Sequence, residues 1–396
     1  MRCVRVVGAC LMSALLIAGC AQDATESAES QDATTAQPDA PPVSPEKLNA
    51  GRFSTKPLAP LGKAGSPERG ATIEAQRMAD HVVGPWEVDE ALIDPYLDTY
   101  YVMNSPAPLT SLGPEAVAQV AAKHRMVNGF GSARRTAEKA NLLNVVLRFP
   151  DDAAAATASG EMNDAASAGP IAGQQPEPLP IAGHDGTAAS TYSFKERATV
   201  RAFTAHGPFV FMQFAQSSAG RDAVVEMIAK AIDLQTPLID GFTPTNVDSL
   251  ADVEVDPTGL LAKTLPVPGE EASPIKNAVY GPRGASHFQS NPVGSTTLFD
   301  DTGVTAVAMA GANIYEARDN PTARFITNAF NGEVTKMEGT TAAAPVPEIP
   351  DSHCTAFPQT FYCVAPANNY AIEIRGQKFE DVQQQVAAQY IILTAK

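Results

Sequence analysis

The feature that most constrains this chain is the run Leu16-Ile17-Ala18-Gly19-Cys20, which closes a short apolar stretch behind Arg2 and Arg5. Two arginines followed by apolar residues from Val6 to Ala18 have the layout of an export signal. The stretch is shorter than the roughly 20 residues a bilayer-spanning helix needs. Small residues at Ala18 and Gly19 let an extended backbone enter a peptidase, and the thiol of Cys20 is the nucleophile that accepts a lipid. Cleavage is therefore expected between Gly19 and Cys20, with Cys20 becoming the lipidated first residue. At about 0.8 kcal/mol per buried methylene, two or three palmitate-class acyl chains anchor stably where one does not. The partner implied is a membrane held through Cys20, and the location is the outer face of the plasma membrane.

Export limits what the rest can be. Removing residues 1–19 takes away Arg2 and Arg5 and no acid, so the net charge moves from −16 to −18. So acidic a chain repels nucleic acid and anionic headgroups, and no nucleic-acid partner is expected. Of the five cysteines, Cys3 and Cys10 leave with the signal and Cys20 carries lipid. Cys354 and Cys363 remain, and an oxidising compartment favours a disulfide between them. A metal site using His353 beside Cys354 is the alternative, but no second ligand pair accompanies it.

Behind Cys20, residues 20–65 are rich in Ala, Ser, Thr, Gln, Asp and Pro and read as a disordered tether. An N-terminal domain is expected over 66–265, a Pro-rich linker over 266–291, and a C-terminal domain with the disulfide over 292–396. Val117, Val120, Ala121 and His124 form one stripe of a helix beginning at Glu115. Leu143, Val145, Leu147 and Phe149 alternate as a strand, and Asp151 or Asp152 can cap the alanine-rich helix that follows. Tyr192–Phe203 and Phe209–Phe214 suggest a hairpin around Gly207-Pro208, then a helix capped by Ser217 or Ser218. Val304–Tyr315 reads as one strand and Asp319-Asn320-Pro321 as a helix start. Tyr370, Ile372 and Ile374 alternate, and Phe379, Val382, Val386, Tyr390 and Leu393 form the cleanest helical stripe. Four strand-then-helix units predict an α+β protein of two domains. In each, a mostly antiparallel sheet carries helices on one face, and a ferredoxin-like arrangement fits.

Catalytic motifs are missing from the sequence. Zinc-ligand histidine pairs, G-x-S-x-G and the P-loop are all absent. Ser44-Pro45-Glu46-Lys47 and Ser273-Pro274-Ile275-Lys276 match S-x-x-K without its companion motifs. Gly129-Phe130-Gly131-Ser132-Ala133-Arg134 lacks the third glycine of a dinucleotide fingerprint and reads as a turn. Asp248, Asp252, Glu254 and Asp256 read as a solvated acidic edge, since Pro257 stands where a calcium loop needs glycine. His124 reads as a core or rim residue and Trp86 as packing. No catalytic residue, metal or cofactor is therefore expected.

The chain resembles an uncharacterised lipoprotein family of mycobacteria and related actinobacteria, whose domains have no assigned function. The resemblance rests on the signal at Cys20, on Gly129–Arg134, and on Arg148-Phe149-Pro150-Asp151. It continues in Asp256-Pro257-Thr258-Gly259-Leu260-Leu261 and in Phe361-Tyr362-Cys363 through Ala387-Ala388-Gln389-Tyr390. It implies location and architecture but no reaction. The expected role is a lipid-anchored, non-enzymatic envelope module that binds an envelope ligand or protein. The alternative is an envelope hydrolase whose site is assembled from distant residues.

Replacing the anchor tests this reading. Cys20→Ala should move the protein from the membrane fraction to a soluble or unprocessed form, scored by ultracentrifugation and immunoblot. Unchanged membrane association of the variant would refute lipidation at Cys20.

Overall fold

The computed structural model describes residues 43–395 apart from Glu138 and residues 268–272. Gly19 and Cys20, where cleavage and lipidation are expected, lie outside the described residues. The chain from Val43 onward forms one compact unit built as two α+β domains.

The first domain opens with α1 (Pro67–Met78) and the short α2 (Pro85–Val88), followed by β1 (Asp94–Met103), α3 (Glu115–Lys123), β2 (Asn128–Arg135) and β3 (Ala140–Arg148). Then come α4 (Asp152–Ser167), β4 (Glu177–Pro178), β5 (Thr187–Phe194), β6 (Arg197–His206), β7 (Phe209–Ser217) and α5 (Arg221–Asp240). The second domain has β8 (Ala278–Tyr280), α6 (Pro282–Ser286), α7 (Pro292–Thr302), β9 (Ala306–Met309) and β10 (Asn313–Glu316). It ends with α8 (Asn320–Val334), β11 (Thr341–Ala343), β12 (His353–Ala356), β13 (Phe361–Ala367), β14 (Tyr370–Gly376) and α9 (Phe379–Thr394).

Each domain holds a seven-stranded sheet, ordered β1-β2-β3-β7-β6-β5-β4 and β11-β12-β13-β14-β10-β9-β8. All named strand pairs are antiparallel. The α+β class with antiparallel sheets stands, but each sheet has seven strands in the orders given, not the four of a β-α-β-β-α-β ferredoxin-like unit.

Helices cover both faces of each sheet, not one. In β3, Leu143, Val145 and Leu147 join a core beneath α3 and α4, whereas Leu142 and Val146 join a second core that includes α5. All nine residues of β3 are buried, which explains its nearly continuous apolar run. The second sheet repeats the plan. Val364 and Tyr362 face α8 residues Ile326 and Phe330, and Cys363, Ala365, Ile372 and Ile374 face α9 residues Val382 and Val386.

The segments expected to be loose carry structure. Residues 43–65, read as part of the tether, lie on the folded body. Leu48 is buried there, with Val43, Phe53 and Leu61 partly so. The Leu58 amide donates to the Ala262 carbonyl at 2.7 Å and the Ala64 amide to Val253 at 2.8 Å. Within the stretch read as a linker, β8 pairs with β9, and α6 is capped by Asp80 of the first domain. That carboxylate accepts from the amides of Gly281 and Gly284, both at 2.8 Å. A Cβ at position 281 would lie 2.4 Å from Asp80 Oδ1, so the junction requires glycine there.

Buried polar groups fasten the domains together. Arg134 of β2 donates to the carbonyls of Ile93, His287 and Gln289 at 2.8, 2.9 and 2.8 Å. His287 is fully buried, with its Nε2 3.1 Å from the Val82 carbonyl and its ring edge-on to Trp86 and Phe130. Burial, reinforced by Arg134 and Arg283, pushes its pKa down to about 3. Glu74 of α1, also fully buried, accepts from the amide and hydroxyl of Thr245 at 2.9 Å each. It further pairs with Arg77 and with Arg148 at 3.4 Å. Gly70 allows this approach, since a Cβ there would meet the Leu250 carbonyl at 1.9 Å.

Two stability measurements follow. Glu74→Ala leaves the Arg148 guanidinium buried without its acid and should cost about 3–5 kcal/mol in urea denaturation. For His287, the unfolded chain takes up the proton near the ordinary value of ~6.5 and the folded chain only near about 3. The stability it confers is complete above the unfolded value and is lost as pH falls toward the folded one, at up to about 1.4 kcal/mol per unit. His287→Phe should flatten the stability loss between pH 6 and pH 4 relative to the parent; equal slopes would contradict a neutral buried imidazole.

Candidate functional site

The best-formed concavity is a cleft of about 620 Å³ where the two domains meet. That volume lies within the usual range for small-ligand sites. From α1 it takes Arg69, Thr72, Ile73 and Gln76, and from the chain between the domains Pro266, Ser273, Pro274 and Lys276. Leu58, Leu61, Val255, Leu261 and Ala310 supply apolar lining, and Asn104 and Asn277 add amides.

The helix that builds one wall is well specified. Ser66 caps α1 by accepting the Arg69 amide, and Pro67 occupies its first position. One side of α1 is buried through Ala75 and Met78, which leaves Arg69, Thr72 and Gln76 to line the cleft. Several of these side chains are held in place. Thr72 Oγ1 donates to the Glu68 carbonyl at 3.1 Å and accepts from Asn104 Nδ2 at 2.9 Å. Gln76 Nε2 donates to the Pro274 carbonyl at 2.7 Å, tying the two walls together. Two cations, Arg69 and Lys276, and one acid, Glu68, lie along the lining, a local reversal of the chain's net −16. Neutral hydroxyls and amides over an apolar floor suit a ligand with a polar backbone and apolar groups.

The residues singled out from sequence do not converge on this cleft, Ser273 and Lys276 excepted. Those two line its wall, with Lys276 in the turn just ahead of β8. Ser44 caps a single 3-10 turn, Pro45–Lys47. Gly129–Arg134 lies inside β2 and is not a turn. Its glycines serve packing, since a Cβ on Gly129 would lie 2.9 Å from the Val146 carbonyl and from the Leu147 side chain.

His124 sits at the end of α3 with Nε2 2.8 Å from Glu161. Hydrogen bonds from Lys123 and His124 hold that carboxyl below its ordinary range. Trp86 is 4% exposed and packs against His287 with the Arg134 guanidinium 5.9 Å from its ring centre. The acidic run serves local structure. Asp252 pairs with Lys63 at 2.9 Å, and Asp256 accepts the Ala262 amide at 2.8 Å. Among the described residues no group of three or more His, Cys, Asp or Glu is placed to hold a metal ion.

Cys354 and Cys363 are bonded, directly opposite each other on β12 and β13. His353 turns to Asn328, with Nε2 3.0 Å from Oδ1. Sequence reasoning missed the cleft, because its lining comes from four separated stretches and contains no motif. The one local signal was Ser66-Pro67, a helix start behind prolines.

With this geometry established, comparison with known proteins places the chain. It matches the N-terminal domain model of DUF7373, a domain of unknown function, over residues 61–255, and the C-terminal model over residues 260–396. The chain belongs to the DUF7373 family. No curated protein matches it. Among solved structures, the extracellular domain of PknH from Mycobacterium tuberculosis is similar at 12% identity with a TM-score of 0.27, covering 40% of this chain and 93% of that one. The boundary between the two family models, at residues 256–259, falls beside Val255 and Leu261 of the cleft.

Proposed function

We propose that this protein is a non-enzymatic binding module of the cell envelope, anchored by lipid on Cys20, and that it takes its ligand in the cleft between its domains. The observation that supports this most is the cleft itself: it is lined by both domains and organised by side-chain hydrogen bonds across its walls. The signal ending at Cys20 supports the location. Among the described residues no helix is long and apolar enough to cross a membrane, so an attachment through lipid is compatible with the fold. The amide- and hydroxyl-rich lining suits a peptide or an amide-bearing wall component.

An assembly role has one observation in its favour. Phe325 on α8 is 58% exposed beside a groove that also carries Leu298 and Met337. Exposed apolar side chains grouped in this way mark contact surfaces.

The full chain purified from an actinobacterial host should carry a co-purifying small ligand in native mass spectrometry. Thr72→Trp, which fills the cleft, should abolish that adduct while leaving the circular dichroism unchanged. An adduct surviving in Thr72→Trp would move the binding site elsewhere, and a ligand seen only as its cleavage products would favour the hydrolase.

A further inference from the structure

The first sheet contains a second polar constellation, remote from the cleft lining. Arg201 of β6 is only 5% exposed. Its guanidinium lies 5.0 Å from the ring centre of Phe214, and Nη1 donates to the Leu112 carbonyl at 3.0 Å. The loop at Gly113 is shaped around it, since a Cβ there would come within 2.6 Å of Nη1. Its Nε has no hydrogen-bond partner. The groups acting on its charge are the hydroxyls of Tyr192 and Tyr96, and no carboxylate is among them. A guanidinium taken out of water without an acid costs several kcal/mol. Arg148, buried in the same sheet, has Glu74; among the described residues no acid is paired with Arg201 in this way.

The edge strand β1 of the same sheet is distorted. The register of β1 breaks between Pro95 and Tyr100. Within that bulge Leu97 and Thr99 adopt φ of 51° and 70°, a conformation that is costly for a non-glycine and most of all for a β-branched residue. Bulges of this kind re-aim side chains, and this one carries Tyr96. Three arginines, Arg201, Arg197 and Arg135, lie close enough to the Tyr96 hydroxyl to oppose the rise that burial and Tyr192 impose on its pKa. Tyr192 titrates above its ordinary value as well, again through burial. Both phenols therefore stay protonated at neutral pH and can donate. Of the nearby acids, Asp98 engages Tyr101, and Asp94, opposite Arg135 in the register, bounds this region on one side.

We propose that this end of the first sheet binds a phosphate- or sulfate-type oxyanion, with Arg201 at its base, Arg135 at its rim, and the hydroxyls of Tyr96 and Tyr192 as neutral donors. Arginine suits this role because its planar fork of N–H donors matches an oxyanion's geometry. The oxyanion belongs either to a lipid headgroup or to a soluble molecule, and the chemistry of the seat is the same for both.

The test uses the full chain in detergent, with inorganic phosphate titrated against sodium chloride at matched ionic strength. A saturable, phosphate-specific rise in melting temperature is expected. Arg201→Gln should weaken phosphate binding by about tenfold or more, the loss of one charge-assisted hydrogen bond. Because Arg201→Gln could unfold the sheet, Arg135→Gln and Tyr96→Phe are measured beside it. Each should weaken phosphate binding without changing the melting temperature in chloride alone. Flotation of the Cys20→Ala chain with phosphatidylinositol vesicles, against phosphatidylcholine alone, separates the sources. Binding to the anionic vesicles as well as to phosphate assigns a headgroup, and binding to phosphate alone assigns a soluble oxyanion. A melting curve indifferent to phosphate, or equal phosphate affinity in the parent and in Arg135→Gln and Tyr96→Phe, overturns the proposal. The cleft and its Thr72→Trp test are unaffected by either outcome.

Discussion

The guanidinium of Arg134 is the point on which the two domains depend. It leaves β2, passes by Trp86, and donates to carbonyls at Ile93, His287 and Gln289. Two of those carbonyls belong to the second domain, so one side chain fixes where the chain enters α7. Hydrogen bonds from a charged donor to buried carbonyls are worth more than neutral ones, and leaving any of the three groups unpaired would be costly. Around this fastening the core is continuous. Met78 and Val82 of the first domain share a cluster with Tyr280, Phe299 and Tyr315 of the second. Two domains joined in this way expose little of the surface a flexible linker would leave between them, and the cleft forms where α1 and the connecting chain stand apart.

That arrangement also accounts for what sits in the cleft. The wall built by α1 is held from behind by Glu74, which is locked to Arg148 and Thr245. Its outer residues are thereby presented at fixed positions, and Gln76 bridges to Pro274 across the gap. A ligand entering such a site meets preorganised donors and acceptors, which lowers the ordering cost of binding. The arginine seat beside the β1 bulge relies on the same physics in another place: charge is buried and the backbone is distorted where a neutral, regular edge would have been more stable.

Much of the fold was legible in periodicity. The strand at Leu143–Phe149, the Asp151 cap with its 2.8 Å bond to the Ala154 amide, the helix start at Asp319-Asn320-Pro321 and the stripe of α9 all stand as the pattern implies. Two hairpins were hidden inside single strands. The turn between β5 and β6 is made by Lys195 and Glu196, both at positive φ, and neither residue type signals a turn. The turn between β9 and β10 runs through Ala310-Gly311-Ala312, where alanines blur the pattern. The cap of α5 is Gly220 at φ 105°, not Ser217 or Ser218. Residues 43–65 read as a tether because their apolar anchors are sparse. Leu48, Phe53 and Leu61 find cover only through packing contacts with distant parts of the chain.

By itself the sequence determined what local chemistry determines: a pair of cysteines nine positions apart, a net charge of −16, and alternating and helical stripes that specify α+β layers. These follow from residues within a few positions of one another, so no fold is needed to read them. The tertiary structure alone decided that helices cover both faces of each sheet, that residues 278–286 of the Pro-rich stretch build β8 and α6, and that Gln76 bridges to Pro274 across a cleft. It also decided that Tyr96, Tyr192 and Arg201 meet. Those contacts join residues tens to hundreds of positions apart, and their energies come from burial and pairing that exist only once the chain has closed on itself.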